Sequence, residues 1–95
     1  MHRLVFAAMN LNQLPIPPGA VVGDWCDRSF RPLTWSRHDA AGAVISVDGT
    51  QYGDGTIERR ITLISATADS ELEASAARQL AAGLLDAADA LDALR

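Results

Sequence analysis

Residues 70–94 consist almost wholly of alanine, leucine and charged side chains, a composition with one favourable conformation, the α-helix. Ser70 followed three residues later by Glu73 fits a capping box, and Asp69 and Glu71 suit the positive end of the helix dipole. Leu72, Leu80, Leu84, Leu91 and Leu94 fall in one arc of the helical wheel, with Ala76, Ala77, Ala87 and Ala88 among them. Arg78, Asp86, Asp89 and Asp92 lie opposite. Gly83 is the one weak helix former, where a kink would fall. About 24 helical residues at ~1.5 Å each span roughly 36 Å, against ~23 Å for a seven-residue strand, so an unbroken helix overhangs a sheet of its own. The overhanging apolar turns need a second surface, and a two-fold homodimer is the simplest source of one.

Upstream the pattern changes to alternation. Residues 20–24 open a short strand, and Asp27-Arg28 turns the chain. Residues 31–38 place Leu33, Trp35 and Arg37 on one side and Thr34, Ser36 and His38 on the other. Pro32 puts that strand at an edge or delays its start. After a turn at residues 39–42, Ala43, Ile45 and Val47 alternate with Val44, Ser46 and Asp48. Two dipeptides compete for the next hairpin; the turn belongs at Gly53-Asp54-Gly55, with Gly49 a bulge inside a strand that runs to Tyr52. Residues 56–65 are the clearest strand, with Ile57, Arg59, Ile61 and Leu63 on one face. The expected fold is α+β: a four-stranded antiparallel β-meander followed by one long C-terminal amphipathic helix packed on the sheet. Residues 14–95 form this single ββββα domain, and residues 1–13 are an N-terminal arm. The prolines of Leu14-Pro15-Ile16-Pro17-Pro18 exclude helix and read as an extended lead-in.

Composition enters through charge. Residues 1–65 carry six arginines against six acids, and residues 66–95 carry two against six, so the net −4 sits entirely on the C-terminal segment. That disfavours non-specific nucleic-acid or anionic-lipid binding. Cys26 is the only cysteine, which excludes an intramolecular disulfide, and the apolar run after His2-Arg3 ends at Asn10, too short for a signal core or a membrane span. The expectation is a cytoplasmic protein with no membrane partner.

No catalytic constellation stands out. Cys26, His2 and His38 with Asp24, Asp27 and Asp39 are poorly spaced for zinc, and a Cys26–His38 nucleophile lacks an orienting group. Neither a phosphate loop nor a dinucleotide fingerprint is present, so no metal, cofactor or enzyme activity is expected. Arg59-Arg60, with Arg28, Arg31 and Arg37 nearby, offers the alternative of a β-ribbon that binds nucleic acid. Trp25, Trp35, Phe30 and Tyr52 are assigned to the core.

Three segments together resemble a family. They are Pro15-x-Pro17-Pro18-Gly19-Ala20-Val21-Val22 with Asp24-Trp25, then Gly49-Thr50-Gln51-Tyr52 with Asp54-Gly55-Thr56-Ile57-Glu58-Arg59, and last Ala76-Ala77-Arg78-Gln79-Leu80-Ala81-Ala82 with Leu84-Leu85-Asp86-Ala87-Ala88-Asp89. In these the chain is similar, over residues 14–92, to small proteins of mycobacteria, related actinobacteria and their phages. The resemblance implies an origin and an architecture but no activity. Gln51, Tyr52, Asp54 and Arg59 fall in its distinctive motif. With Arg60 and Leu85 they are the candidate interaction residues of a non-enzymatic module whose partner is a protein, including a second copy.

Overall fold

The computed structural model describes residues 11–65 and 71–94. A 3-10 turn at Leu11–Gln13 leads through the prolines to β1 (Val21–Val22), β2 (Phe30–Arg37), β3 (Val44–Tyr52), β4 (Ile57–Ile64) and the helix α1 (Ala74–Asp92). The strands lie in the order β1-β2-β3-β4, each antiparallel to the next. The architecture is thus the four-stranded meander with one C-terminal helix against it.

Local chemistry explains the turns. Between β2 and β3, Ala41 and Gly42 both adopt positive φ, and Ala40 and Ala43 exchange backbone hydrogen bonds around them. This two-residue loop twists in the sense that the flanking strands require. Between β3 and β4 the turn falls at Gly53-Asp54-Gly55: the Tyr52 N–H donates to Thr56 O (2.8 Å) and the Gly55 N–H to Tyr52 O (2.9 Å). The Asp54 carboxylate accepts from the Thr56 N–H at 2.9 Å, fixing the loop.

Two expectations about irregular backbone are corrected. Gly49 is not a bulge; it pairs in register with Leu33 on one side and Arg59 on the other. The register shift lies in β2 instead, between Thr34 and Ser36. It sets Ser36 opposite Val47 and Arg37 opposite Ser46, so Arg37 leaves the Leu33 face and joins the open one. Pro32 sits inside β2, yet at a point where β1 has already ended and, among the described residues, only the Gly23 N–H reaches across, to Pro32 O. A missing donor there breaks no ladder bond.

The core lies on one face of the sheet. Ile45, Val47 and Ala87 are completely buried, with Trp35, Ile61, Leu80, Leu84, Leu91 and Leu94 packed around them. The helix is shorter than expected: it starts at Ala74, with Glu73 as an extended N-cap that makes no side-chain cap bond. Glu71 and Leu72 lie outside it, and the capping Ser70 and Asp69 fall outside the described residues. Nineteen residues span about 28 Å, close to the ~30 Å of nine-residue β3, so the helix does not outreach the sheet by length. It is offset rather than long, because residues 74–79 are exposed except for half-buried Ala76. Gly83 produces no break; it is where the helix meets the sheet most closely. A Cβ there would fall 2.9 Å from His38 O and 3.0 Å from both Ala40 Cβ and Ile45 Cδ1.

Candidate functional site

The motif running from Gly49 to Arg59 spans the β3–β4 hairpin, and strand alternation divides it between the two sheet faces. On the helix side, beyond the reach of the helix, Gln51 is 1% exposed and faces Arg31, which is 7% exposed. Arg31 Nε donates to Gln51 Oε1 at 2.7 Å, and Gln51 Nε2 donates to Pro15 O at 3.0 Å. Arg31 Nη2 also reaches Leu14 O at 3.4 Å, and the guanidinium lies over the Trp25 ring, 4.8 Å from its centre.

Trp35 Nε1 donates to Pro18 O at 3.1 Å, and Pro17 is buried. The proline segment is therefore more than a lead-in. It closes the part of the sheet that the helix leaves bare, with backbone carbonyls as its attachment points. A segment with two adjacent prolines has few N–H donors, so its carbonyls must carry the bonding. Leu11 continues the contact, lying against the turn at Gly53.

Arg31 is a buried cation with no carboxylate within salt-bridge distance among the described residues. Amide and carbonyl oxygens and an aromatic face replace it. Among the described residues, Trp25 Nε1 beside it is a buried donor that finds no acceptor.

The opposite face carries a polar network. Asp48 accepts from Ser46 Oγ (2.7 Å) and Thr62 Oγ1 (3.0 Å) and pairs with Arg60 Nε at 3.4 Å. Arg60 Nη2 donates to Thr50 Oγ1 at 3.0 Å, and Tyr52 donates to Glu58 across the strand pair. That hydrogen bond, which Tyr52 can make only while protonated, holds its hydroxyl pKa above the ordinary value of 10.0. The Thr56 amide lowers the Asp54 pKa, and the Arg37 guanidinium lowers that of Asp39.

The candidate interaction residues are consequently not brought together. Gln51 is inside, Tyr52 and Arg60 belong to the open face, and Asp54 is in the turn. Arg59 returns to the helix side, its guanidinium 5.5 Å above the Trp35 ring. Leu85 stands 66% exposed on the helix. Arg59 and Arg60 point to opposite faces, the arrangement that adjacent strand residues must have, and so do not form one basic ribbon. Phe30, assigned to the core, is 42% exposed and pairs with Tyr52 on the open face. Exposed Cys26 precedes β2 and His38 follows it, so the whole strand separates thiol from imidazole. His38 instead bonds Ser36 Oγ at 2.8 Å. Among the described residues no three His, Cys, Asp or Glu side chains are grouped to hold a metal ion, and no helix is long and apolar enough to cross a membrane.

Sequence reasoning missed Arg31, Pro15 and Pro18 as a working unit. The available signal was an arginine in alternation with Leu33, on the face that has to be buried.

Comparison with protein-family models, with curated proteins and with solved structures finds no match.

Proposed function

We propose that the chain is a non-enzymatic protein-interaction module that acts as a homodimer, an accessory or regulatory protein of the actinobacterial and phage kind its motifs resemble. One observation carries this reading: large apolar side chains are exposed at the end of the outer strand, one on each face of the sheet. Leu63 and Ile64 at the end of β4 are 49% and 58% exposed, and Leu72 and Leu85 are comparably bare. At the end of an edge strand, such side chains are buried from both faces when another strand pairs alongside, which favours a protein partner there. The polar groups in and beside the distinctive motif support the same view, since Gln51, Asp48, Arg60, Tyr52 and Glu58 are engaged within the fold, leaving the apolar strand end as its open surface.

Sedimentation analysis tests it, because self-association must depend on concentration. A dimer is expected at micromolar concentration. A chain monomeric up to about 100 µM, and retaining no protein from actinobacterial lysate, refutes the reading.

A further inference from the structure

We infer that the outer edge of β4 is the self-association surface, and that a second copy adds its own β4 antiparallel across a two-fold axis at Thr62. The inference rests on the homodimer reading and assigns it a geometry. β4 ends the sheet, contains no proline and keeps unbroken register with β3 over eight residue pairs. The Tyr52 N–H bonds Thr56 O, so alternation directs the backbone groups of Thr56, Glu58, Arg60, Thr62 and Ile64 toward β3. Those of Ile57, Arg59, Ile61 and Leu63 point away from the sheet, and no described strand meets them. A row of donors and acceptors on a long strand that no described strand pairs is a template for another strand.

The same alternation limits the register. Outward residues can bond only to outward residues, so paired numbers sum to an even value and the two-fold passes through a residue. Centred on Arg59 or Arg60, the pairing sets like charges face to face, which is destabilising. Centred on Ile61, it leaves the two Arg60 side chains diagonal neighbours on one face.

Centred on Thr62, it avoids both conflicts. Ile61 then faces Leu63 of the copy, twice over, and Arg60 faces Ile64. The half-exposed apolar end of β4 is covered while Glu58 and Arg59 stay at the margins. An axis normal to the sheet keeps both helices on one side of a continuous eight-stranded sheet.

Thr62 facing itself is a pair without mutual hydrogen bonds, where Cα atoms approach to about 4.5 Å, within disulfide reach. The test is therefore Thr62→Cys in a Cys26→Ser background, oxidised and run on a non-reducing gel, with Arg60→Cys in the same background as control. Thr62→Cys is expected to cross-link. Arg60→Cys is not, because its counterpart lies four residues along, about 13 Å away.

Leu63→Pro supplies a second readout, since the lost N–H points outward and the β3–β4 ladder is kept. It is expected to weaken dimerisation on the order of tenfold or more while far-UV circular dichroism stays that of the parent. A dimer that persists in Leu63→Pro, with no Thr62→Cys cross-link, overturns this edge and leaves the homodimer intact. A parent chain that never dimerises overturns both.

Discussion

Replacing Gly49 with alanine probes how closely β3 and β4 are fitted. A Cβ at this position would lie 1.9 Å from the Glu58 carbonyl oxygen, which belongs to backbone and cannot swing aside, and 3.1 Å from Trp35 Cζ3. Relief requires the two strands to part locally by about 1 Å, which stretches the adjoining N–H···O bonds beyond useful length. One or two ladder bonds, each worth about 0.5–1.5 kcal/mol net, are lost. Overpacking against Trp35 adds about 1–3 kcal/mol. The expected destabilisation is therefore about 1.5–6 kcal/mol, against a total of roughly 5–14 kcal/mol for a domain of this length. Urea unfolding followed by circular dichroism reads it directly, and Tm should fall by roughly 4–8 °C for each kcal/mol lost. Gly42→Ala is the control: its φ is +79° but nothing lies within 4 Å of the added Cβ, so only the backbone cost of about 1 kcal/mol applies. A Gly49→Ala chain within about 1 kcal/mol of the parent refutes the steric argument.

Three further outcomes follow from the structure. Gln51→Ala removes the 2.7 Å acceptor of buried Arg31 and the bond to Pro15 O; a loss of about 2–4 kcal/mol is expected in urea unfolding, with faster proteolysis within residues 14–18. Arg28→Gly should stabilise by about 0.5–1 kcal/mol, because Asp27 and Arg28 sit consecutively at φ 48° and 62°, where a side chain is strained; an unchanged Tm would show that this turn carries no strain. In NMR titration Asp39 and Asp54 should show midpoints below 3.8 and Tyr52 one above 10.0. Lowered carboxyl values mean that the stability contributed by Asp39 and Asp54 is present above about pH 4 and fades as pH falls through their folded midpoints; the Tyr52 contribution is present below pH 10 and fades above its own.

What the sequence makes legible here follows from how local each cause is. Strand alternation, the Gly53-Asp54-Gly55 turn and the alanine-leucine helix are properties of a few neighbouring residues, and they suffice for the order of elements and for the face that Ile45, Val47 and Leu84 bury. The bulge belongs to a pair of strands rather than to one. Gly49 invites it by type, but the glycine is there because a carbonyl from β4 occupies the space of its Cβ, and the register shift is taken up beside Trp35. The helix start differs from its sequence signal for a similar reason. A capping box is a local signal, whereas the observed helix gains its sheet contacts from Leu80 onward.

The candidate site was the least legible part, because Gln51, Arg31, Pro15 and Pro18 are distant in sequence and meet only after the sheet forms. A polar residue in a distinctive motif has two readings, exposed contact or buried clasp, and composition does not separate them. Burial does so for Gln51, and the same test returns the opposite answer at Leu63 and Ile64. The motif secures the hairpin, and the apolar end of β4 is left for whatever the chain meets.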